Sequence, residues 1–151
     1  MPDFVVSDPN YEARVRGSFA RQTVMTTIGA EISRVAPGEV DIILPFRHDL
    51  SQQHGFIHAG IITTIVDSAC GYAALSLMPV GAGVLTVEYK VNFMSPAKGD
   101  HFIARGRVVK PGQTVTVCNG EVFAVTNGQE KLIASMLTTM ISLRDRGNLV
   151  D

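Results

Sequence analysis

The sequence has no tryptophan and only two cysteines in 151 residues. Cys70 and Cys118 lie in apolar surroundings, with no CxxC and no Cys/His spacing. That argues against a disulfide scaffold and for a reducing compartment, which we expect to be the cytoplasm. Charge is scarce too: Lys plus Arg number 13 and Asp plus Glu 14, a net of −1. A broad nucleic-acid face needs a cationic surface and a membrane-surface anchor needs a polybasic run, so neither partner is expected. The glycine patterns that cradle phosphates or dinucleotides are missing, and so is a Gly-x-Ser-x-Gly elbow. His48, His54, His58 and His101 have no metal-ligand spacing, so no metal is expected. No basic segment followed by an apolar run opens the chain, so no secretory leader is expected.

What is present has a globular balance, 46% hydrophobic and 18% charged. The length suits one domain with a working core, so residues 1–151 read as a single unit. The most apolar stretch, Gly60 to Met78, approaches the length of a bilayer span. Asp67 at its centre and flanks without a Lys/Arg asymmetry argue instead for a helix buried inside a globular domain.

Residues 9–22 read as an N-terminal helix, with Tyr11, Val15, Phe19 and Gln22 on one face. The core, about 28–143, opens on a β-hairpin turning at Ala36-Pro37-Gly38-Glu39. A polar loop, 47–56, leads into the apolar helix from His58 to Leu77. Four strands are expected after it, at 84–93, 101–109, 114–126 and 131–143, with turns at 94–100, 110–113 and 127–128. The tail, 144–151, is expected to fray. A helix that is apolar almost all round needs a surface to wrap it, which a strongly curved antiparallel sheet supplies. The fold class is α+β.

Two features carry chemistry. The helix start at His58-Ala59-Gly60 leaves backbone N–H groups without internal acceptors, at the positive end of the macrodipole. Such an end can hold a developing oxyanion, although Gly and His are also ordinary at helix boundaries. Asp67, among Ile65, Val66, Ala69 and Cys70, is costly unless it pairs, reacts or faces a polar seam. Eight residues separate Ala59 from Asp67, about 12 Å of helical rise. One chain therefore cannot aim both at one carbon, whereas two antiparallel copies of the helix can. If both features are catalytic, the site lies between protomers. Cys70 reads as a small core residue. Lysines on two adjacent turns, Lys98 and Lys110, with Arg105 and Arg107 between them, suit a phosphate-bearing ligand. Phe56, Tyr72, Leu75 and Phe93 are candidate walls for an acyl group, or simply core.

The run His54-Gly55-Phe56-Ile57-His58-Ala59-Gly60, with Asp67-Ser68-Ala69, Thr86-Val87-Glu88 and Asn92-Phe93-Met94-Ser95-Pro96-Ala97, resembles the hotdog-fold acyl-CoA thioesterases, nearest their phenylacetate-degradation-type (PaaI-like) subgroup. The resemblance implies a long helix wrapped by a curved antiparallel sheet, a homodimer assembling to a homotetramer, and hydrolysis of an acyl-CoA without a cofactor. Asp67 matches the catalytic base or nucleophile, and Ala59 the N–H that polarises the thioester carbonyl. Thr86 matches a hydroxyl that orients water, and Gln52 an amide near the thioester. His54, His58, Gly60, Pro96, Lys98, Lys110 and Gln113 match the substrate-binding set. Relatives carry His-Gly-Gly where this chain has His58-Ala59-Gly60, which keeps the N–H provided that φ stays negative at Ala59. The alternative from the same resemblance is a hotdog protein that binds acyl-CoA or another small ligand without turnover. A hotdog dehydratase ranks last, since its helix motif is not evident.

Overall fold

The computed structural model describes residues 3–151; Met1 and Pro2, at the head of the segment read as lacking a leader, lie outside them. Two short helices, α1 (Tyr11–Arg21) and α2 (Thr23–Ile28), precede a hairpin of β1 (Glu31–Ala36) and β2 (Glu39–Pro45). A one-turn 3-10 helix (His48–Leu50) and a loop lead to α3 (Ala59–Leu75). The strands β3 (Gly83–Phe93), β4 (His101–Lys110), β5 (Val115–Thr126) and β6 (Gln129–Leu143) follow. All six strands form one antiparallel sheet in the order β1-β2-β4-β5-β6-β3. The sheet packs around α3, which touches β2 through β6. Bulges at Ile32/Arg34, Thr86/Glu88, Val108/Lys110 and Val122/Phe123 supply local bends in the strands. This is the hotdog architecture.

The helix and sheet meet at a flat spot. Gly106 on β4 and Gly120 on β5 are cross-strand partners under the middle of α3. A Cβ on Gly106 would lie 2.3 Å from the Ala69 carbonyl, and one on Gly120 would lie 2.4 Å from Val66 Cγ2. Bare backbone lets α3 sit directly on the strands, with Phe102, Ala104, Cys118 and Val122 buried around the contact.

The far end of α3 is clasped from outside. Arg14 donates from Nη1 to Pro79 O (2.7 Å) and from Nη2 to Leu75 O (2.9 Å) and Met78 O (2.6 Å). Leu75 O and Pro79 O also accept the Met78 and Ala82 N–H groups (3.0 and 3.2 Å), whereas Met78 O has no other partner among the described residues. Asp8 lies 3.5 Å from Arg14 Nε.

Four expectations change. The first helix is shorter than 9–22 and stops at Gln22, whose ψ of 88° is not helical; α2 then begins a new turn. The central helix ends at Leu75 rather than Leu77. Residues 94–100 are not a hairpin turn, because β3 pairs with β6 and the segment crosses to the far side of β5. The tail is docked, not frayed. The Asp151 carboxylate accepts from Ser18 Oγ (2.7 Å) and from the Val84 N–H (2.8 Å), and Gly83 lets Leu149 O approach where a Cβ would not fit. Among the described residues, no helix is long and apolar enough to cross a membrane.

Candidate active site

At the start of α3, His58 is extended (φ −59°, ψ 137°) and its Nδ1 accepts the Gly60 N–H at 2.8 Å. The neutral ring therefore carries its proton on Nε2. The Ile61 and Ile62 N–H groups both bond to His58 O, at 3.0 and 3.2 Å. The Ala59 N–H is left as the first-turn donor with no acceptor among the described residues. Ala59 is not among the positive-φ residues, so its methyl carries no backbone strain. It opens on a cavity of about 530 Å³ shared with Gln52, Phe56, His58, Phe93 and Pro96. The loop that brings Gln52 there is self-bonded. Gln52 N–H donates to Phe56 O (2.8 Å), the Gln52 side-chain carbonyl accepts the His54 N–H, and Gly55 takes a φ of 85°.

Two turns along, Asp67 differs from its sequence setting. Its apolar neighbours Ile65, Val66, Ala69 and Cys70 turn toward the sheet and are buried. Asp67 instead joins Gly60, Thr63 and Thr64 on a stripe that the chain's own sheet leaves uncovered, and it is half-buried. Thr86 Oγ1 donates to Asp67 Oδ1 at 2.8 Å, from the point where the β3–β6 ladder bulges. Oδ2 has no partner among the described residues. Burial pushes the Asp67 carboxyl above its ordinary pKa, and the Thr86 hydrogen bond pulls the other way with the smaller effect.

Behind Asp67 lies a recess of about 110 Å³, shared with Gln22, Ser68, Tyr72, Thr86 and Asp151. Ser68 Oγ donates to Gln22 Oε1 at 3.3 Å. Sequence reasoning missed Gln22, Ser68 and Asp151 as site residues. Gln22 and Asp151 arrive from the α1–α2 break and from the tail, and no local pattern points from either segment to Asp67.

The other candidates divide. Ala59, Gln52, His58 and Pro96 border one cavity, while Asp67 and Thr86 border another. With α3 continuous, about 12 Å separates the two groups along the helix. His54 is exposed on its loop, and Gly60 lies on the open stripe of α3. Lys98 sits in the 94–100 crossover, whereas Lys110 is the last residue of β4, at its opposite end, and Gln113 lies just past it. Ten strand residues put the two lysines about 30 Å apart, so they are not on adjacent turns. Arg105 is engaged by both Glu130 oxygens (3.0 and 2.7 Å) over the Phe123 ring, and Arg107 by Asp41 (2.6 Å), so neither is a free phosphate ligand. Of the four candidate acyl walls, Phe56 and Phe93 line the Ala59 cavity and Tyr72 the Asp67 recess; Leu75 is core. Burial pushes the Cys70 thiol far up and the Cys118 thiol up to about 12, so both are inert packing groups.

A family model described as the thioesterase superfamily matches residues 54–131, from the loop before α3 into the start of β6. The chain belongs to the thioesterase superfamily. A crystal structure of a thioesterase family protein from Silicibacter pomeroyi is 53% identical, covers 89% of this chain and 98% of that one, and superposes with a TM-score of 0.87. Acyl-coenzyme A thioesterase 13 of Homo sapiens is 30% identical over 100 residues, 66% of this chain and 69% of that protein. The E. coli PaaI protein from the phenylacetic acid degradation operon shares the fold at a TM-score of 0.81 and 18% identity, over 92% of this chain and 96% of that one. This member of the superfamily is a thioester hydrolase. Its matched segment contains Ala59, Asp67 and Thr86, while Gln22, Gln52 and Asp151 lie outside it.

Proposed function

We propose that the protein hydrolyses acyl-CoA thioesters at sites shared between two protomers. The observation that carries this reading is Asp67, held by Thr86 on the uncovered stripe of α3, two turns from an unpaired Ala59 N–H. About 12 Å of helix keeps these groups from one reacting carbon within a chain. An antiparallel pair of α3 helices brings the start of one beside the middle of the other. Edge strand β3 favours the same pairing. It runs for 11 residues with one side unpaired, and Leu85, Val87, Tyr89 and Phe93 are exposed along it. The CoA ester as substrate is supported by the likeness to acyl-coenzyme A thioesterase 13.

In this reading the thioester carbonyl oxygen accepts the Ala59 N–H of one protomer, and the Gln52 amide supplies a second donor nearby. The partner's Asp67 takes a proton through Oδ2 from a water whose oxygen attacks the carbonyl carbon. Thr86 fixes Oδ1, so the free oxygen keeps its aim. The tetrahedral intermediate expels the CoA thiolate, which recovers the proton from Asp67, leaving the free acid and CoA thiol. His58 holds the helix start in shape through Gly60, and Pro96 walls the thioester cavity. His54, Lys98, Lys110 and Gln113 lie on the exposed segments that meet the CoA arm. If one CoA touches both lysines, they come from different protomers, given their 30 Å separation (about ten residues of strand).

The test is thiol release from an acyl-CoA by the purified protein and by Asp67→Asn. A single turnover in ¹⁸O-water tests the general-base route. Label in the acid and none on Asp67 supports it, and label on Asp67 shows direct attack by the carboxylate.

A further inference from the structure

The recess behind Asp67 differs in kind from the cavity at Ala59. The Ala59 cavity is large and mostly apolar, at about 530 Å³, whereas the recess is about 110 Å³ with polar walls. At about 30 Å³ per water-sized group, it holds roughly four non-hydrogen atoms. A phenyl ring or a long alkyl chain exceeds it.

The walls offer both halves of a hydrogen-bonding pair. Ser68 occupies Gln22 Oε1, which leaves both amide hydrogens of Gln22 without an acceptor among the described residues. Ser18 spends its hydroxyl proton on Asp151 Oδ1 (2.7 Å), so at the 3.2 Å contact between Ser18 and Tyr72 it is the Tyr72 hydroxyl that donates. Tyr72 therefore keeps acceptor capacity, and each Asp151 oxygen keeps a second lone pair. A methyl group here leaves the Gln22 donors unpaired, and a carboxylate meets Asp67 and Asp151. An ammonium group gains from Asp67 and Asp151 but leaves both Gln22 amide hydrogens without an acceptor. A hydroxyl accepts from Gln22 and donates to Tyr72 or Asp151.

We infer that this recess selects a short hydroxyacyl group, with Gln22 as the specificity-determining residue. The inference rests on the acyl-CoA thioesterase reading and names the substrate class of that site.

The experiment compares kcat/KM for 3-hydroxybutyryl-CoA, butyryl-CoA, phenylacetyl-CoA and decanoyl-CoA, in wild type and in Gln22→Leu. The hydroxyacyl substrate should exceed butyryl-CoA at least about tenfold, with the two bulky substrates lower still. Gln22→Leu should bring the hydroxybutyryl-to-butyryl ratio to about one, whereas mere loss of folded protein lowers both rates and leaves the ratio alone. Ser68→Ala, which frees the Gln22 amide from its anchor, should narrow the ratio as well. A wild-type ratio of one or below, a preference for the bulky acyl groups, or a ratio that survives Gln22→Leu overturns the pocket assignment and leaves the thioesterase reading standing. No turnover of any of the four by folded wild type removes both.

Discussion

Asp67 works against the fold at neutral pH. Burial raises its pKa above the ordinary 3.8, so the folded chain binds that proton more tightly than the unfolded chain does. The resulting stability is lost as pH rises from 3.8 through the raised value. Asp67→Asn should therefore melt higher than wild type at pH 7, with the gap closing below pH 3.8, while turnover falls at least about 100-fold. Near-wild-type turnover would remove Asp67 from the mechanism. Catalysis needs the ionised form, so the acid limb of kcat/KM should lie above 3.8. Thr86→Val deletes the contact that lowers the pKa and should move that limb further up; a limb that stays or moves down contradicts the pairing. Ala59→Pro tests the oxyanion donor. Proline suits the first helical position, and His58 before it is already extended, so the helix should survive. Only the N–H is lost, and turnover should fall by about 10²–10³ with the melting temperature nearly kept. The separation of Ala59 from Asp67 was legible because helical rise converts sequence spacing into distance. Gln22's place beside Asp67 was not, since it depends on the turn into α2, a helix that the sequence reading left out.

Elements were legible wherever their stabilisation is local. The β1–β2 hairpin follows from alternation around Pro37-Gly38, and the observed strands meet at that turn. By contrast, α2 is six residues with three threonines among them, and its anchor is the tertiary burial of Met25 and Ile28. The β3–β6 pair was equally hidden, because nothing in residues 94–100 distinguishes a crossover from a hairpin. Its course is set by remote bonds, Ile57 N–H to Ala97 O (3.0 Å) and Asp100 N–H to Val125 O (2.7 Å). The clasp on the end of α3 is also nonlocal. Arg14→Met removes three hydrogen bonds, orphans the Met78 carbonyl and leaves Asp8 without its cation, which should destabilise the protein by about 2–4 kcal/mol in denaturant titrations. Arg14 lies away from both cavities, so turnover per folded molecule should hold. A loss below about 0.5 kcal/mol would show the clasp to be incidental.

At the scale of the whole molecule, a helix that looked apolar on nearly every side is covered on only one side by its own sheet. The uncovered stripe and the unpaired edge of β3 are the surfaces on which the proposed second copy of the chain would dock. Val87, 56% exposed on that edge, offers a way in. Val87→Lys places like charges across a two-fold axis, and assembly and turnover should be lost together in sizing and thiol-release assays. The most direct measurement of the shared site is subunit complementation between Ala59→Pro and Asp67→Asn. Each homodimer has two dead sites. A mixed dimer has one site with both defects and one with an intact Ala59 N–H and an intact Asp67. Co-refolded one to one, the two inactive proteins should recover about a quarter of wild-type turnover, from half of the dimers each bearing one of two sites. A mixture as inactive as its parents would place both groups in one chain and contradict the shared site.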